Sequence, residues 1–446
     1  MFNYKKTAVL GLGNSGLSAV KLLSKLNTEL FISDKDRNKY AVIQSLENEL
    51  DTPIDHELGS HSDKVLDCDL IIVSPGISKH EDILVKARDK GKEIWSELEL
   101  GFSRISPKKV IAVTGTNGKT TTAVLAGEIC KAYGHDTICC GNIGLPITSI
   151  VDKVTKETIL VVEVSSYQLE FIKKFHADSA CVLNITPDHL ERHVSLEHYA
   201  EVKAQIFKNQ SADDLGIYNA DDLYQDIVKK NINSRQICFA KRGNRGDIYY
   251  FDDKIWFNTI NWIYDCKNII IPGEHNIQNI MAAAGLCFDI IKNDTKILDR
   301  VISSFKGVEH RLEKVIEKNG ILFVNDSKST NVDSTESALK SFSKNIILLM
   351  GGKDKLAPYK PLIPAIRQRV KHIIAYGEAG KRIKDELISI VDITEKDDLK
   401  QAVHKAVSIG ERGDIILLSP ACSSFDQFLN FEERGKKFKE IVLNLN

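Results

Sequence analysis

At 446 residues the chain exceeds what one hydrophobic core usually organises, so two or three domains are expected. Apolar residues make up 43% and charged residues 27%, and 60 basic side chains nearly cancel 61 acidic ones, which excludes the basic excess of a nucleic-acid surface and favours small-molecule partners. No run of eighteen apolar residues appears, the first apolar run is too short for a secretory signal, and nine cysteines without a C-x-x-C pair read as reduced thiols, so a cytosolic protein with no membrane contact is expected.

Short apolar runs, each followed by a glycine or polar turn and then a helical pattern, predict strands at 7–10, 30–33, 70–73, 110–113, 159–164, 180–183, 321–324, 346–350, 372–376 and 415–418. Strands alternating with helices mean parallel, doubly wound sheets in an α/β protein. Breaks near Ser106-Pro107 and Gly307 divide the chain into three domains, residues 1–105, 106–308 and 309–446. In the second, the aromatic segments Ile248–Phe251 and Ile255–Phe257 predict antiparallel hairpins, taken as a small subsidiary sheet.

The first glycine loop is Gly11-Leu-Gly13-Asn14-Ser15-Gly16, with Asp34 closing the second strand eighteen residues later. Glycines of this kind let the main chain approach a diphosphate at a helix N-terminus while an acid takes ribose hydroxyls. The pattern fits NAD, a UDP-sugar, or a tight turn that binds nothing. The second loop, Gly115-Thr116-Asn117-Gly118-Lys119-Thr120-Thr121, stands between a strand and a helix. Its amides can cradle phosphates, Lys119 can neutralise them and Thr120 can hold Mg²⁺. Val113 occupies the place of the first glycine in the strict pattern, so the loop is a shortened variant.

Downstream, Glu163 ends a buried-looking strand ahead of Ser165-Ser166-Tyr-Gln168-Leu-Glu170, and Asn184-Ile-Thr186-Pro-Asp188-His189 follows the next one. Acids and imidazoles at the carboxyl ends of adjacent parallel strands converge on the phosphate loop, which makes Glu163 and His189 metal-ligand candidates, each also readable as a structural residue. Gly273-Glu-His275-Asn276-Ile-Gln-Asn279 opens an Ala-rich helix whose amides suit a purine or ribose, or simply cap the helix. Arg311 stands at the third-domain boundary. Asp326 at a strand end suits a ribose diol, and Lys328 and Thr330 suit a phosphate or carboxylate, although a surface turn explains this segment equally. A dense polar and aromatic loop, Ser419 to Gly435, follows the last strand and contains Ser424 and Phe431.

Taken in order, these segments resemble the Mur ligase family over essentially the whole chain. The landmarks are Thr-Gly-Thr-Asn-Gly-Lys-Thr-Thr, Gly141-Asn142-Ile143-Gly144, Glu-Val-Ser-Ser-Tyr-Gln-Leu-Glu, Asn-Ile-Thr-Pro-Asp-His-Leu, Gly-Glu-His-Asn, His-Arg-Leu-Glu, Asn-Asp-Ser-Lys-Ser-Thr-Asn, Gly351-Gly352-Lys-Asp-Lys355 and Ser-Pro-Ala-Cys-Ser-Ser-Phe-Asp. The last of these and the Lys328 segment resemble members that add D-glutamate; the Asp-Asn-Pro-Arg expected of diaminopimelate-adding members is absent.

The resemblance implies Rossmann-like N-terminal and C-terminal domains flanking a central P-loop-type ATPase domain, with a parallel sheet and a small antiparallel one. It implies a monomeric, Mg²⁺-dependent enzyme that uses ATP to join D-glutamate to UDP-N-acetylmuramoyl-L-alanine through an acyl phosphate. By motif, Asn14, Ser15, Asp34 and Asn142 would contact the UDP-sugar, with the N-terminal domain matching the family most loosely. Gly115 to Thr121, Glu163, Asn276, Asn279, Arg311 and Asp326 would serve ATP and Mg²⁺, and His189 with a carbamylated Lys203 would hold a second Mg²⁺. Thr330, Lys355, Ser424 and Phe431 would frame D-glutamate, and Lys119, His189, Lys203, Lys328 and Lys355 form the expected catalytic set. A relative adding another amino acid, a Rossmann oxidoreductase and a non-catalytic nucleotide switch are the competing readings; the last two leave most of these residues without a role.

Overall fold

Continuous apolar runs become strands buried on both faces, as parallel sheets covered by helices require. The computed structural model describes residues 2–445 apart from 143, 189, 242–245, 272, 292–293 and 355–357. The described residues fall into two compact units, Met1–Tyr264 with Gln278–Val301, and Asp265–Ile277 with Ile302–Asn446.

The first unit carries two sheets. One comprises β1 (Lys6–Leu10), β2 (Glu29–Asp34), β3 (Asp55–Leu58), β4 (Leu70–Val73) and β5 (Glu93–Ser96), all parallel, in the order β3-β2-β1-β4-β5. The other comprises β6 (Lys109–Thr114), β7 (Thr137–Gly141), β8 (Ile159–Glu163), β9 (Ser179–Val182), β10 (Leu215–Asn219), β11 (Arg235–Ala240), β12 (Ile248–Phe251), β13 (Lys254–Phe257) and β14 (Trp262–Asp265), in the order β14-β13-β12-β11-β10-β9-β6-β8-β7. β12 and β13 pair antiparallel, as the alternation of aromatic residues predicts. They do not stand apart as a subsidiary sheet, because β12 joins β11 in parallel through Phe239↔Ile248 and Ala240↔Tyr249 and so extends the main sheet.

The second unit is built on β15 (Glu313–Lys318), β16 (Ile321–Asn325), β17 (Ile346–Gly351), β18 (Val370–Tyr376), β19 (Ile393–Lys396) and β20 (Ile415–Ala421), in the order β15-β16-β20-β17-β18-β19. Among the described strand pairs of this sheet only β15–β16 is antiparallel. Separate apolar clusters cover its two faces, one around Leu348, Ile373 and Leu417, the other around Leu349, Ile374 and Leu418. In each sheet a strand order that reverses leaves a crevice at the carboxyl ends, where ligands bind in such folds.

Within the first unit the two sheets are fastened by buried carboxylates on the short helix Glu97–Phe102. Glu99 accepts the main-chain N–H groups of Lys173, Lys174 and Phe175 at 2.9, 2.7 and 2.9 Å. Oε1 of Glu97 accepts both the N–H and the hydroxyl of Thr148, at 2.8 and 2.7 Å. Oε2 of Glu97 is buried without a hydrogen-bond partner. Burial pushes this carboxyl up from its ordinary 4.5 to about 7, against the pull of the Thr148 bonds.

A carboxyl raised in the folded chain stabilises it fully below the ordinary value, and that contribution is lost as pH rises through about 7. The linkage amounts to on the order of 3 kcal/mol. The melting temperature should therefore fall between about pH 4.5 and pH 7 and level off above, and Glu97→Gln, which keeps an acceptor for Thr148 but cannot ionise, should flatten that slope. An unchanged slope in calorimetric scans of the variant would show that other groups set it.

Candidate active site

Loops at strand carboxyl ends carry most of the expected residues. After β1, the helix Asn14–Leu23 begins without a side-chain cap, so its first N–H groups are left to a ligand or water. Asn14 is exposed and Ser15 half-buried at that end. Asp34 shapes the loop: Oδ2 accepts the Leu12 N–H at 2.6 Å and Oδ1 the Asp36 N–H at 2.8 Å. Its carboxylate is thus already engaged by main chain, with lone pairs left for a further donor.

The phosphate loop after β6 is held from several sides. Gly118 has φ +88°, and a Cβ there would meet Oδ1 of Asn279 at 2.2 Å, so only glycine fits. The helix Lys119–Ala132 that follows has no side-chain cap either. Asn184 fixes the tip as a surrogate backbone: its Oδ1 accepts the Asn117 N–H at 2.8 Å, its amide donates to Asn117 O at 3.0 Å, and its own carbonyl accepts the Thr116 N–H at 2.9 Å. Lys119 donates to the carbonyls of Gly115 and Thr116, both at 2.8 Å. Thr120 donates its hydroxyl to Oε2 of Glu163 at 2.8 Å. Thr121 is buried, and Oγ1 of Thr122 lies 3.4 Å from Oδ1 of Asn279.

Glu163 is 2% exposed at the end of β8, and its other oxygen accepts the side-chain amide of Asn142 at 3.1 Å. The Asn142 N–H also donates to the Glu163 carbonyl at 2.8 Å. These contacts associate Asn142 with the phosphate loop's acid, whereas the sequence grouped it with the nucleotide-sugar residues. His189 lies outside the described residues.

Lys203 lies on the helix Leu196–Ala204 and is 1% exposed. Its Nζ donates to the Gly115 carbonyl at 2.9 Å and sits 4.5 Å from the centre of the Tyr199 ring. Lys119 and Lys203 thus share one carbonyl. Burial pushes the Lys203 amine well below the ordinary lysine range, the Lys119 charge pushes it further, and Asp188 and Glu163 pull it back. A lysine so placed holds its proton less tightly than an exposed one.

In the second unit, Asp326 follows β16 and is 2% exposed. It accepts the Ser419 hydroxyl at 2.8 Å and the Leu312 N–H at 3.1 Å. Burial raises its carboxyl to about 6, opposed by Ser329, Arg311, Ser419 and the Leu312 N–H. Lys328 places its Nζ 5.8 Å from the Phe431 ring centre, the Thr330 N–H donates to the Lys328 carbonyl at 2.9 Å, and Ser424 is buried after β20. Asn276, near the start of the helix His275–Leu286, is 5% exposed, and Asn279, on the part of that helix assigned to the first unit, is 3% exposed. Lys355 lies outside the described residues.

Sequence reasoning missed Arg434, the largest fully buried side chain. Its Nε donates to Ser327 Oγ at 3.0 Å, Nη1 to the Cys422 and Ser423 carbonyls at 3.1 and 3.2 Å, and Nη2 to the Ser327 and Cys422 carbonyls at 2.8 and 3.1 Å. One guanidinium joins the loop bearing Lys328 to the loop bearing Ser424. The signal was present: Arg434, Phe438, Ile441 and Val442 share the buried face of the helix Phe431–Leu443 at helical spacing.

Family models match three stretches of the chain: Mur ligase MurD-like, N-terminal domain, at residues 5–96; Mur ligase middle domain at 113–287; and Mur ligase, glutamate ligase domain, at 310–422. The chain is 39% identical over 457 residues to the UDP-N-acetylmuramoylalanine–D-glutamate ligase of Elusimicrobium minutum, covering 100% of this chain and 99% of the relative. It is 38% identical over 455 residues to that of Clostridioides difficile, covering 99% of each. Among solved structures, the UDP-N-acetylmuramate-alanine ligase MurC of Thermotoga maritima superposes with a TM-score of 0.62 at 20% identity over 99% of both chains. FolC of E. coli, in complex with DHPP and ADP, superposes at 0.56 and 14% identity over 78% of this chain and 92% of its own. These two likenesses establish the fold.

Arg434→Met keeps the volume and strands four buried acceptors, which should cost about 3 kcal/mol or more in urea unfolding. Arg434→Lys should recover little, because an ammonium cannot reach four acceptors from one plane. A lysine variant as stable as the parent would mean that charge alone suffices there.

Proposed function

The chain belongs to the Mur ligase family, and we propose on that premise that it joins D-glutamate to UDP-N-acetylmuramoyl-L-alanine at the expense of ATP, in peptidoglycan precursor synthesis. One observation carries the reading: Lys119, Thr120, Glu163 and a fully buried Lys203 gather at a single phosphate loop. An oxidoreductase has no use for that set, and a passive nucleotide switch has none for a fully buried lysine behind the loop. We assign the domains as 1–105, 106–308 and 309–446, and the protein as a cytosolic monomer, since ATP and UDP-activated sugars are cytosolic reagents.

Oxide is a poor leaving group, so a carboxylate does not condense with an amine in water. In the proposed reaction the L-alanyl carboxylate attacks the γ-phosphorus of ATP, the bond to ADP breaks, and an acyl phosphate results. The amine of D-glutamate then adds to the acyl carbon, and the tetrahedral adduct expels phosphate and a proton. Lys119 turns from the Gly115 and Thr116 carbonyls to the phosphates and offsets the repulsion between anions. Gly115 to Thr121 offer main-chain donors to the same phosphates, and Asn276, Asn279, Arg311 and Asp326 serve the rest of the nucleotide. Asn14, Ser15, Asp34 and Asn142 receive the UDP-sugar; Lys328, Thr330, Lys355, Ser424 and Phe431 receive D-glutamate.

The Thr120 hydroxyl and the Glu163 carboxylate are hard oxygen donors 2.8 Å apart at the head of the phosphate loop, a set that fits Mg²⁺. When bound there, the ion supplies charge stabilisation to the phosphates. For a second ion we assign His189 and Lys203, the latter as a carbamate. A neutral amine adds to CO₂ and releases a proton, turning a repelled cation into an oxygen ligand. Burial of Lys203 beside Lys119 favours the neutral amine that this step needs.

Phosphate release should require the UDP-muramoyl-alanine acceptor and D-glutamate together; equal rates with L-glutamate, or release from ATP alone, would reject the substrate assignment. Lys119→Ala should nearly abolish turnover while calorimetric titration still detects the UDP-sugar.

Lys203→Ala and Lys203→Arg should both fold and lose most activity, with acetate or formate partly restoring the alanine variant. An arginine variant that turns over normally would rule out the carbamate.

A further inference from the structure

β20 leaves its sheet through Ala421, whose φ of +58° puts a residue with a Cβ in the left-handed region. A turn of this kind is strained and persists only where its surroundings hold it. Main-chain holds are evident: the Ala421 N–H donates to the Ser329 carbonyl at 3.0 Å, and Arg434 takes the next two carbonyls. One hold reaches a side chain. The hydroxyl of Tyr359 lies 3.1 Å from Sγ of Cys422, with both residues buried.

Tyr359 is itself fixed at two further points. Its N–H donates to Oε2 of Glu386 at 2.9 Å, and the guanidinium of Arg382 lies 4.7 Å from its ring centre. Arg382 is paired in turn, 3.1 Å from Oε1 of Glu386 and 3.1 Å from Oδ1 of Asp354. The ring is therefore clasped from the helix Gly380–Leu387, and its hydroxyl delivers that rigidity to Cys422, two residues before Ser424.

We propose that Tyr359, clasped by Arg382 and Glu386, is a positioning residue for the amino-acid substrate, acting through Cys422 on the loop that carries Ser424. This deepens the reading of that loop as the D-glutamate site and rests on it. Tyr359 does not touch the substrate; it narrows the range of loop conformations from which the substrate must select. Losing its hydroxyl leaves the core packed and removes this hold on the Cys422 side chain.

The test is a double-mutant cycle on the full-length enzyme, read as KM for D-glutamate, ATP and the UDP-sugar by phosphate release. Tyr359→Phe should raise the D-glutamate KM roughly threefold to tenfold and leave the other two within a factor of two. Cys422→Ala should do the same, and the double variant should match either single one. Cys422→Ser, which keeps a partner for the Tyr359 hydroxyl, should stay near the parent. Single effects that multiply in the double variant, or a uniform change in all three KM values that follows a fall in melting temperature, would overturn the proposal. A parent enzyme indifferent to D-glutamate would instead refute the substrate reading before the cycle began.

Discussion

Buried cations bonded to main-chain carbonyls hold the shape of the loops on which the proposed chemistry depends. Lys203 reaches the Gly115 carbonyl from a neighbouring helix, and Arg434 reaches those of Ser327, Cys422 and Ser423. A loop carbonyl turned inward has no ladder partner and would be costly to bury alone. Supplying it with a donor from another element ties the loop to that element. The two cations differ in outcome: the planar guanidinium keeps its charge and satisfies four acceptors, whereas the amine, crowded by Lys119 at the same carbonyl, is driven toward neutrality.

The same logic governs the carboxylates. Asp34 stiffens the first glycine loop through Leu12, Glu163 takes the Thr120 hydroxyl, and Glu99 collects three consecutive N–H groups from the segment after β8. Each sits where parallel strands or helices leave donors unsatisfied. The loops proposed to receive phosphates are thereby held in shape by side chains, and the helices that begin at Asn14 and Lys119 carry no side-chain cap.

What was legible in the sequence followed burial. Runs such as Val110–Val113, Ile346–Met350 and Ile415–Leu418 are buried on both faces and announce themselves by continuous hydrophobicity. β3, with the sequence Asp-His-Glu-Leu, β15 and β19 were missed because edge strands with exposed positions carry polar residues and no apolar run. β10 was missed because Gly216 and Asn219 interrupt its pattern. The glycine loop with Lys119 and the strand-end Glu163 were readable as candidates because the proposed chemistry demands particular residue types at fixed spacing. Asn184, Arg434 and Tyr359 were not, because a residue that acts by bonding main chain or a single sulfur has no spacing rule; only the fold brings it to its partner.

The nine-stranded sheet is thin at one line: among the described residues two pairs are in register between β11 and β12, while the strands on the other side of β11 match over five. Strand pairing is cooperative along its length, so a crack would open at the shortest line of contact. The aromatic hairpin beyond that line, with Tyr249 stacked on Trp256 at 6.2 Å, carries its own packing. Its inward side chains Ile248, Ile255 and Phe257 are fully buried and Phe257 lies 5.9 Å from Phe288, so side-chain packing, more than strand pairing, anchors this edge of a sheet whose glycine loop lies four strands further in.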